Sequence, residues 1–322
     1  MIEEMASIED NQTWHLTTLP PGHRAIEHAV YARGTATSRL VVGVYVDDLV
    51  ITGSDAEVIN KFKGEMRNLF KMSDLGLLSF YLGIEVKQSA HGIVISQSAY
   101  ARKLLEKSGM AGCKSSSIVG SLRYLVHTRP DLTFSVEYVS RFMEAPTEEH
   151  RTAVKHILRY IAGTLQLGCR YGRGEDTAQL VGYSDHDLGG DIDDRKSTSG
   201  TLFLLGGGAV TWQSQKQKIV ALSSCESEYV AATTAACQGS WLSRLLGDFR
   251  ESETGAVKLK VDNKSVISLA KNPVMHDRSK HIELRYHFIR DCVEKKKIEL
   301  EFVATEHQLA DMFTKPLGRV RL

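Results

Sequence analysis

The spacing of apolar and polar positions changes its period several times along the chain. RLVVGVYVDDLVITGS sets two β-rich apolar runs on either side of Asp47 and Asp48, the pattern of a strand, a tight turn and a strand. SDAEVINKFKGEMRNLF then spaces Val58, Phe62, Met66, Leu69 and Phe70 at helical intervals behind two cap candidates, Ser54 and Asp55. FYLGIEVKQSAHGIVISQSAY predicts two more strands around Ala90, His91 and Gly92, and ARKLLEKSGM a short helix. After a break at GCKSSSIVG, SLRYLVHTRPDLTFSVEYVSRFM and EEHRTAVKHILRYIAGTL read as two helical segments parted by Ala145, Pro146 and Thr147. Residues 1–40, interrupted by Pro20, Pro21 and Gly22, read as weakly structured.

From Gln179 the pattern becomes one of strands followed by helices. QLVGYSDHD, SGTLFLLGG and AVTWQSQKQKIVALS are successive strands joined by Gly-rich turns, and CESEYVAATTAACQGSWLSRLLGDF is a long Ala-rich helix. A strand VKLKVD, a helix NKSVISLAK, a helix around HIELRYHFIRDCVEKK, a strand IELEFVAT and a last helix HQLADMFTK follow. This order predicts an α/β layer built on a mixed sheet.

Four carboxylates, Asp185, Glu228, Asp262 and Asp311, each lie beside a different one of these elements, and one sheet could gather them at one end. Carboxylate oxygens are hard ligands suited to Mg²⁺, and acids gathered without a cation repel one another. Two such ions can activate water and stabilise the leaving oxygen in phosphodiester cleavage.

Composition narrows the setting more than the chemistry. In 322 residues, 40 basic and 39 acidic side chains leave a net charge of +1, so a phosphate-bearing partner must be held by local patches or metals. The 42% hydrophobic content supplies a core, while the five scattered cysteines form no CxxC pair and fit a reducing compartment. No apolar run approaches a membrane span, and no export signal stands at the N-terminus, which predicts an intracellular, cytoplasmic or nuclear protein without a membrane partner.

YSDHDLGGDIDDRKSTSG, VTWQSQKQKIVALSSCESEY, DNKSVISLAKNPVMHDRSKHIELRYHFIR and QLADMFTKPLG together resemble the ribonuclease H region of copia-type LTR retrotransposon Pol polyproteins of plants. LVVGVYVDDLVITGSD resembles the active-site hairpin of the reverse transcriptase in the same polyproteins, with NQTWHLTTLPPG at the start of that region and SIVGSLRYLVHTRPDL onward in the segment joining the two enzymes. The resemblance implies an α/β ribonuclease H-like mixed five-stranded sheet with flanking helices, preceded by a truncated α+β reverse transcriptase palm remnant. It divides the chain into a polymerase N-terminal remnant at 1–40, a truncated palm at 41–112, a helical connection at 113–176 and a ribonuclease H domain at 177–322.

The same resemblance implies that Asp185, Glu228, Asp262 and Asp311 are catalytic and hold two Mg²⁺ ions, with Mn²⁺ as a substitute, for hydrolysis of the RNA strand of an RNA–DNA hybrid. Glu226 is the alternative to Glu228, and His307 a further candidate for product release. Lys196, Ser197, Thr198, Ser199, Lys216 and Gln217 are candidates for strand contacts, because hydroxyls, amides and lysines suit phosphates and ribose hydroxyls. Several departures from the family pattern stand beside these matches. GHRAIEHAVYARG replaces a long fingers-and-palm stretch, so Asp47 and Asp48 lack a third catalytic carboxylate and polymerase activity is expected to be lost. His186 and Leu188 stand where the family has a small residue and a tryptophan. The expected activity is therefore a metal-dependent ribonuclease H, and the alternative is an inactive nucleic-acid-binding relic. A working reverse transcriptase would need a carboxylate from another chain. Oligomeric state is left open.

Overall fold

The computed structural model describes residues 23–27, 29–35, 38–109, 115–173, 179–250, 254–271 and 288–316. The LPPG stretch, Cys113, HIELRYH and the last residues lie outside the described residues. Contacts divide the chain into two units, one of residues 1–76 with 245–253, the other of 77–244 with 254–322.

In the first unit β1 (His23–Glu27), β2 (Val30–Arg33), β3 (Leu40–Tyr45) and β4 (Asp48–Gly53) form one antiparallel sheet in chain order. Residues 23–33, read from sequence as weakly structured, thus contribute two of its strands. β3 and β4 make the expected hairpin, paired from Leu40 with Gly53 to Tyr45 with Asp48. Helix α1 (Ala56–Leu69) begins where Asp55 accepts the Glu57 N–H at 2.8 Å, while Ser54 closes the hairpin by accepting the Arg39 N–H at 2.9 Å. No α1 side chain is fully buried, and Leu69 and Phe70 stay exposed.

The second unit opens with β5 (Phe80–Tyr81), β6 (Ile84–Ser89) and β7 (Gly92–Ser96), a meander completed by the later β8 (Cys169–Gly172). Between β7 and β8 run α2 (Ser98–Ser108), α3 (Ser115–Leu125), α4 (Thr133–Ser140) and α5 (Glu148–Gly163), packed around Leu104, Leu122, Leu125, Leu132, Val136 and Ile161. The helical segment expected over SLRYLVHTRPDLTFSVEYVSRFM is broken, because Pro130 has no N–H to continue a helix and disfavours helical backbone at the residue before it, Arg129 (φ −129°, ψ 74°). The break is fixed by Arg129. Its guanidinium is 2% exposed, pairs with Asp131 at 2.6 Å, and donates to the Thr164 carbonyl at 3.0 Å and hydroxyl at 2.8 Å. One buried side chain thereby ties the start of α4 to the end of α5.

The remaining strands are β9 (Leu180–His186), β10 (Thr198–Leu205), β11 (Gly208–Lys216), β12 (Val257–Val261) and β13 (Ile298–Phe302). They form a mixed five-stranded sheet in the order β11-β10-β9-β12-β13, antiparallel through β11, β10 and β9 and parallel from β9 through β12 to β13. This is the mixed five-stranded α/β arrangement expected from sequence. Its helices are α6 (Ser224–Arg250), α7 (Lys264–Lys271) and α8 (Phe288–Glu294). Gly182 leaves room on β9 for the buried ring of Phe203, which a Cβ would approach to 2.6 Å. The segment preceding this sheet adjoins its edge strand β11: the Trp212 indole donates to the Val126 carbonyl, just past α3, at 3.2 Å, and the Tyr171 hydroxyl of β8 to the Ala209 carbonyl at 2.8 Å.

Two further expected elements differ. The strand over AVTWQSQKQKIVALS stops at Lys216, because the Gln217 amide is drawn inward to Ser199 and to the Ser227 carbonyl. The last expected helix is a pair of 3-10 turns, Thr305–His307 and Leu309–Phe313. Pro316 disfavours helical backbone at Lys315, and the Gln308 side chain caps the second turn by accepting the Ala310 N–H at 3.2 Å.

Arg129→Met is expected to lower stability by about 3 kcal/mol, since it strands Asp131 and the Thr164 carbonyl without their donor. Urea unfolding checks this, and a loss below about 1 kcal/mol would contradict the role given to Arg129.

Candidate metal centre

Register brings the first two carboxylates together. Lys260 of β12 pairs with Tyr183 of β9 in the parallel ladder, so Asp185 on β9 and Asp262, just past the end of β12, each follow two residues beyond that pair. On the other side of β9 the partner of Asp185 is Gly200. A Cβ there would lie 2.7 Å from the Ala310 carbonyl oxygen and 2.9 Å from Phe313 Cβ, so the bare glycine lets the second 3-10 turn lie on the sheet. That turn carries Asp311. Thr314, just beyond it, donates its hydroxyl to Asp185 Oδ2 at 2.5 Å.

Alternation along β9 sends the next side chain, His186, to the opposite face, where the first turns of α6 run. His186 Nδ1 there contacts Glu228 Oε2. Glu226, the sequence alternative, is used elsewhere: its carboxylate accepts the Leu222 N–H at 2.7 Å ahead of α6. Asp185, His186 and Glu228 offer ligand atoms within 4.8 Å of one another, and among the described residues this is the one such group of three. Asp262 and Asp311 lie outside that tight group. Asp262 accepts from the Thr305 hydroxyl at 3.1 Å, and Asp311 is met by the Lys315 ammonium at 2.8 Å. His307 is exposed on the first 3-10 turn.

Burial and mutual charge set the electrostatics. Asp185 is 3% exposed and Glu228 fully enclosed. Burial pushes Asp185 up to about 7, the Thr314 hydroxyl opposes this, and the charges of Glu228 and Asp311 add to it. Burial likewise raises Glu228 above the ordinary range, with His186 opposing and Asp262 and Asp311 reinforcing the rise. The charges of Asp262 and Asp311 thus reach Glu228, and that of Asp311 reaches Asp185 as well. Glu228 Oε1 is buried and accepts no hydrogen bond. An enclosed carboxylate oxygen without a hydrogen-bond donor is of the kind that suits a hard divalent cation.

The remaining sequence candidates are engaged differently. Ser197, Thr198, Ser199 and Gln217 are buried, and Ser197 accepts the Gly189 N–H at 3.0 Å. Lys216 pairs with Asp191 at 2.6 Å and Asp194 at 2.9 Å, and Lys196 with Asp194 at 3.2 Å. Arg141 of the connection segment also reaches Asp191, at 3.4 Å. These ion pairs brace the loop between β9 and β10 beside Asp185. Sequence reasoning passed over Asp191, Arg141, Thr314 and Lys315, although DIDDRK and MFTK carried the charges. In the first unit Asp47 and Asp48 are exposed at the hairpin tip, beside Val46 in the left-handed conformation (φ 51°).

The reverse transcriptase (RNA-dependent DNA polymerase) family matches residues 11–119. The Pol polyprotein from transposon TNT 1-94 of Nicotiana tabacum is 38% identical over 323 aligned residues, covering 90% of this chain and 24% of the relative. A putative transposon Ty5-1 protein of Saccharomyces cerevisiae is 32% identical over 235 residues, 64% of this chain and 76% of its own length. The chain belongs to the copia-type retrotransposon Pol family. It spans about a quarter of the tobacco polyprotein it matches. Among solved structures, the N-terminal ribonuclease H domain of a Mycobacterium tuberculosis protein overlays 43% of this Pol chain and 91% of that one, at 11% identity and a TM-score of 0.30. No helix among the described residues of the Pol chain is long and apolar enough to cross a membrane.

Gly200→Ala is expected to destabilise the chain by about 1–3 kcal/mol by forcing the Asp311 turn off the sheet. Unchanged thermal unfolding would contradict that close approach. A second expectation concerns pH. The Asp185 carboxyl titrates near 3.8 unfolded and at about 7 folded, so between these values the folded metal-free chain holds a proton that the unfolded chain has lost. Stability contributed by this group therefore falls as pH rises through that window. Melting temperatures measured from pH 4 to pH 7 should show a shallower fall in Asp185→Asn than in the wild type, and equal slopes would contradict the assignment.

Proposed function

We propose that the ribonuclease H-like part of the second unit hydrolyses the RNA strand of RNA–DNA hybrids with the help of divalent cations held by Asp185, Glu228, Asp262 and Asp311. The observation that carries this reading is the pairing of buried Asp185 and Glu228 from separate elements, with Asp262 and Asp311 near enough for their charges to act on Glu228, whose enclosed Oε1 accepts no hydrogen bond. When bound, the cations supply Lewis-acid activation of water and stabilisation of the leaving oxygen. In the hydrolysis, water adds to the scissile phosphate and the 3′-oxygen leaves, giving a 5′-phosphate and a 3′-hydroxyl.

The chain's own groups have distinct parts in this scheme. Thr314 orients Asp185 through its hydroxyl, and Thr305 does the same for Asp262. Lys315 balances part of the negative charge at Asp311. Lys196 and Lys216, half-exposed beside the loop between β9 and β10, would meet the phosphates of a strand. Ser197, Thr198, Ser199 and Gln217 would act from beneath, holding the surface on which that strand lies. The ribonuclease would occupy 177–322, behind a connection at 113–176 and a palm remnant at 41–112 whose Asp47 and Asp48 no longer support polymerisation.

A second reading, an inactive nucleic-acid-binding relic, draws on one observation: His186 engages a carboxylate that the cation would need. Cleavage separates the two. With Mg²⁺ or Mn²⁺ the full chain should cut a labelled RNA–DNA hybrid and spare duplex DNA, and Asp262→Asn should lose about 100-fold or more of that rate. Hybrid binding without metal-dependent cutting would overturn the ribonuclease reading in favour of the relic.

A further inference from the structure

We propose that His186 is itself a ligand of the metal centre, making it a mixed oxygen and nitrogen site that favours Mn²⁺ and later first-row cations over Mg²⁺. This rests on the metal-dependent reading above and goes beyond it by adding a donor of a different chemical kind.

The position of His186 comes from the strand that carries Asp185. Successive residues of β9 point to opposite faces, so Asp185 turns toward the Asp311 turn and His186 toward α6. At the end of β9 the ligand atoms of Asp185, His186 and Glu228 nonetheless lie within 4.8 Å of one another. The imidazole is mostly enclosed, with 12% of its side chain exposed, and Glu228 is wholly enclosed.

A second, independent observation points to a bound cation. Glu228 presents one oxygen to His186 and keeps the other, Oε1, buried with no hydrogen bond. A histidine serving only as a structural partner of Glu228 would leave that second oxygen unsatisfied at a substantial desolvation cost. A cation entering between the imidazole nitrogen and the carboxylate would take the place of the proton they share and satisfy both oxygens. Mg²⁺ binds oxygen ligands and gives up water reluctantly, whereas imidazole suits the transition metals, whose affinity for a given site generally rises from Mn²⁺ onward. One nitrogen among the oxygens therefore alters which ion is retained.

The test uses the full chain and Mn²⁺ as the probe, with free Mn²⁺ quantified by electron paramagnetic resonance. Spin-echo modulation reports any nitrogen bound to the ion, and Mg²⁺ affinity is obtained by competition. The wild type should show histidine nitrogen modulation. His186→Ala should abolish it and weaken Mn²⁺ binding about 10-fold, with Mg²⁺ weakened far less. Mn²⁺ bound at a site abolished by Asp185→Asn, but with no nitrogen modulation or with equal losses of both ions in His186→Ala, would overturn the role of His186 while leaving the carboxylate centre standing. No Mn²⁺ site sensitive to Asp185→Asn would overturn both.

Discussion

Like charges confined in a buried space are the constraint around which the second unit is built. Asp185 and Glu228 are nearly or wholly enclosed, with Asp262 and Asp311 close enough to raise the cost of ionising them. Such a group persists only if the elements bearing it are held from outside. Here the sheet register supplies two carboxylates, the glycine gap at Gly200 admits a third, and the start of α6 supplies the fourth. The compensating charges, Lys315 at Asp311 and the imidazole at Glu228, stand within the same cluster. The crowding of charge that costs stability here is also what would draw a cation to the site.

Support for the centre extends into the connection segment. Arg141 joins Lys216 on Asp191, bracing the loop that follows Asp185, and Trp212 and Tyr171 link the neighbouring edge strand to the segment before the sheet. Arg129 in turn fixes the break between α3 and α4. The helical segments before the sheet thus serve as a buttress for it. Among the described residues of the first unit, helix α1 buries no side chain fully, and the paired aspartates stand at an exposed hairpin tip.

Much of this was legible in the sequence where local and long-range demands agree. The β3–β4 hairpin, α1 with its Asp55 cap, and the strands around Asp185 and Asp262 follow from periodicity and turn residues. The four acids stood out because each lay beside a separate element. The 3-10 turns at Asp311 were read as a helix, since apolar spacing over so few residues cannot distinguish the two and Pro316 acts only at the end. The serines and Gln217 looked like surface donors, yet the sheet turns them inward, because hydrogen bonds across the loop satisfy them there. His186 was legible as a substitution beside Asp185, but its engagement of Glu228 required knowing which face of β9 meets α6.

The most direct measurement of the central claim is the melting temperature of the full chain with and without Mn²⁺, in the wild type beside Asp311→Asn. Relief of carboxylate repulsion by a bound cation predicts that Mn²⁺ raises the wild-type midpoint and that the rise is reduced or lost in the variant. No rise in the wild type, or an equal rise in both proteins, would contradict a metal centre built from these acids.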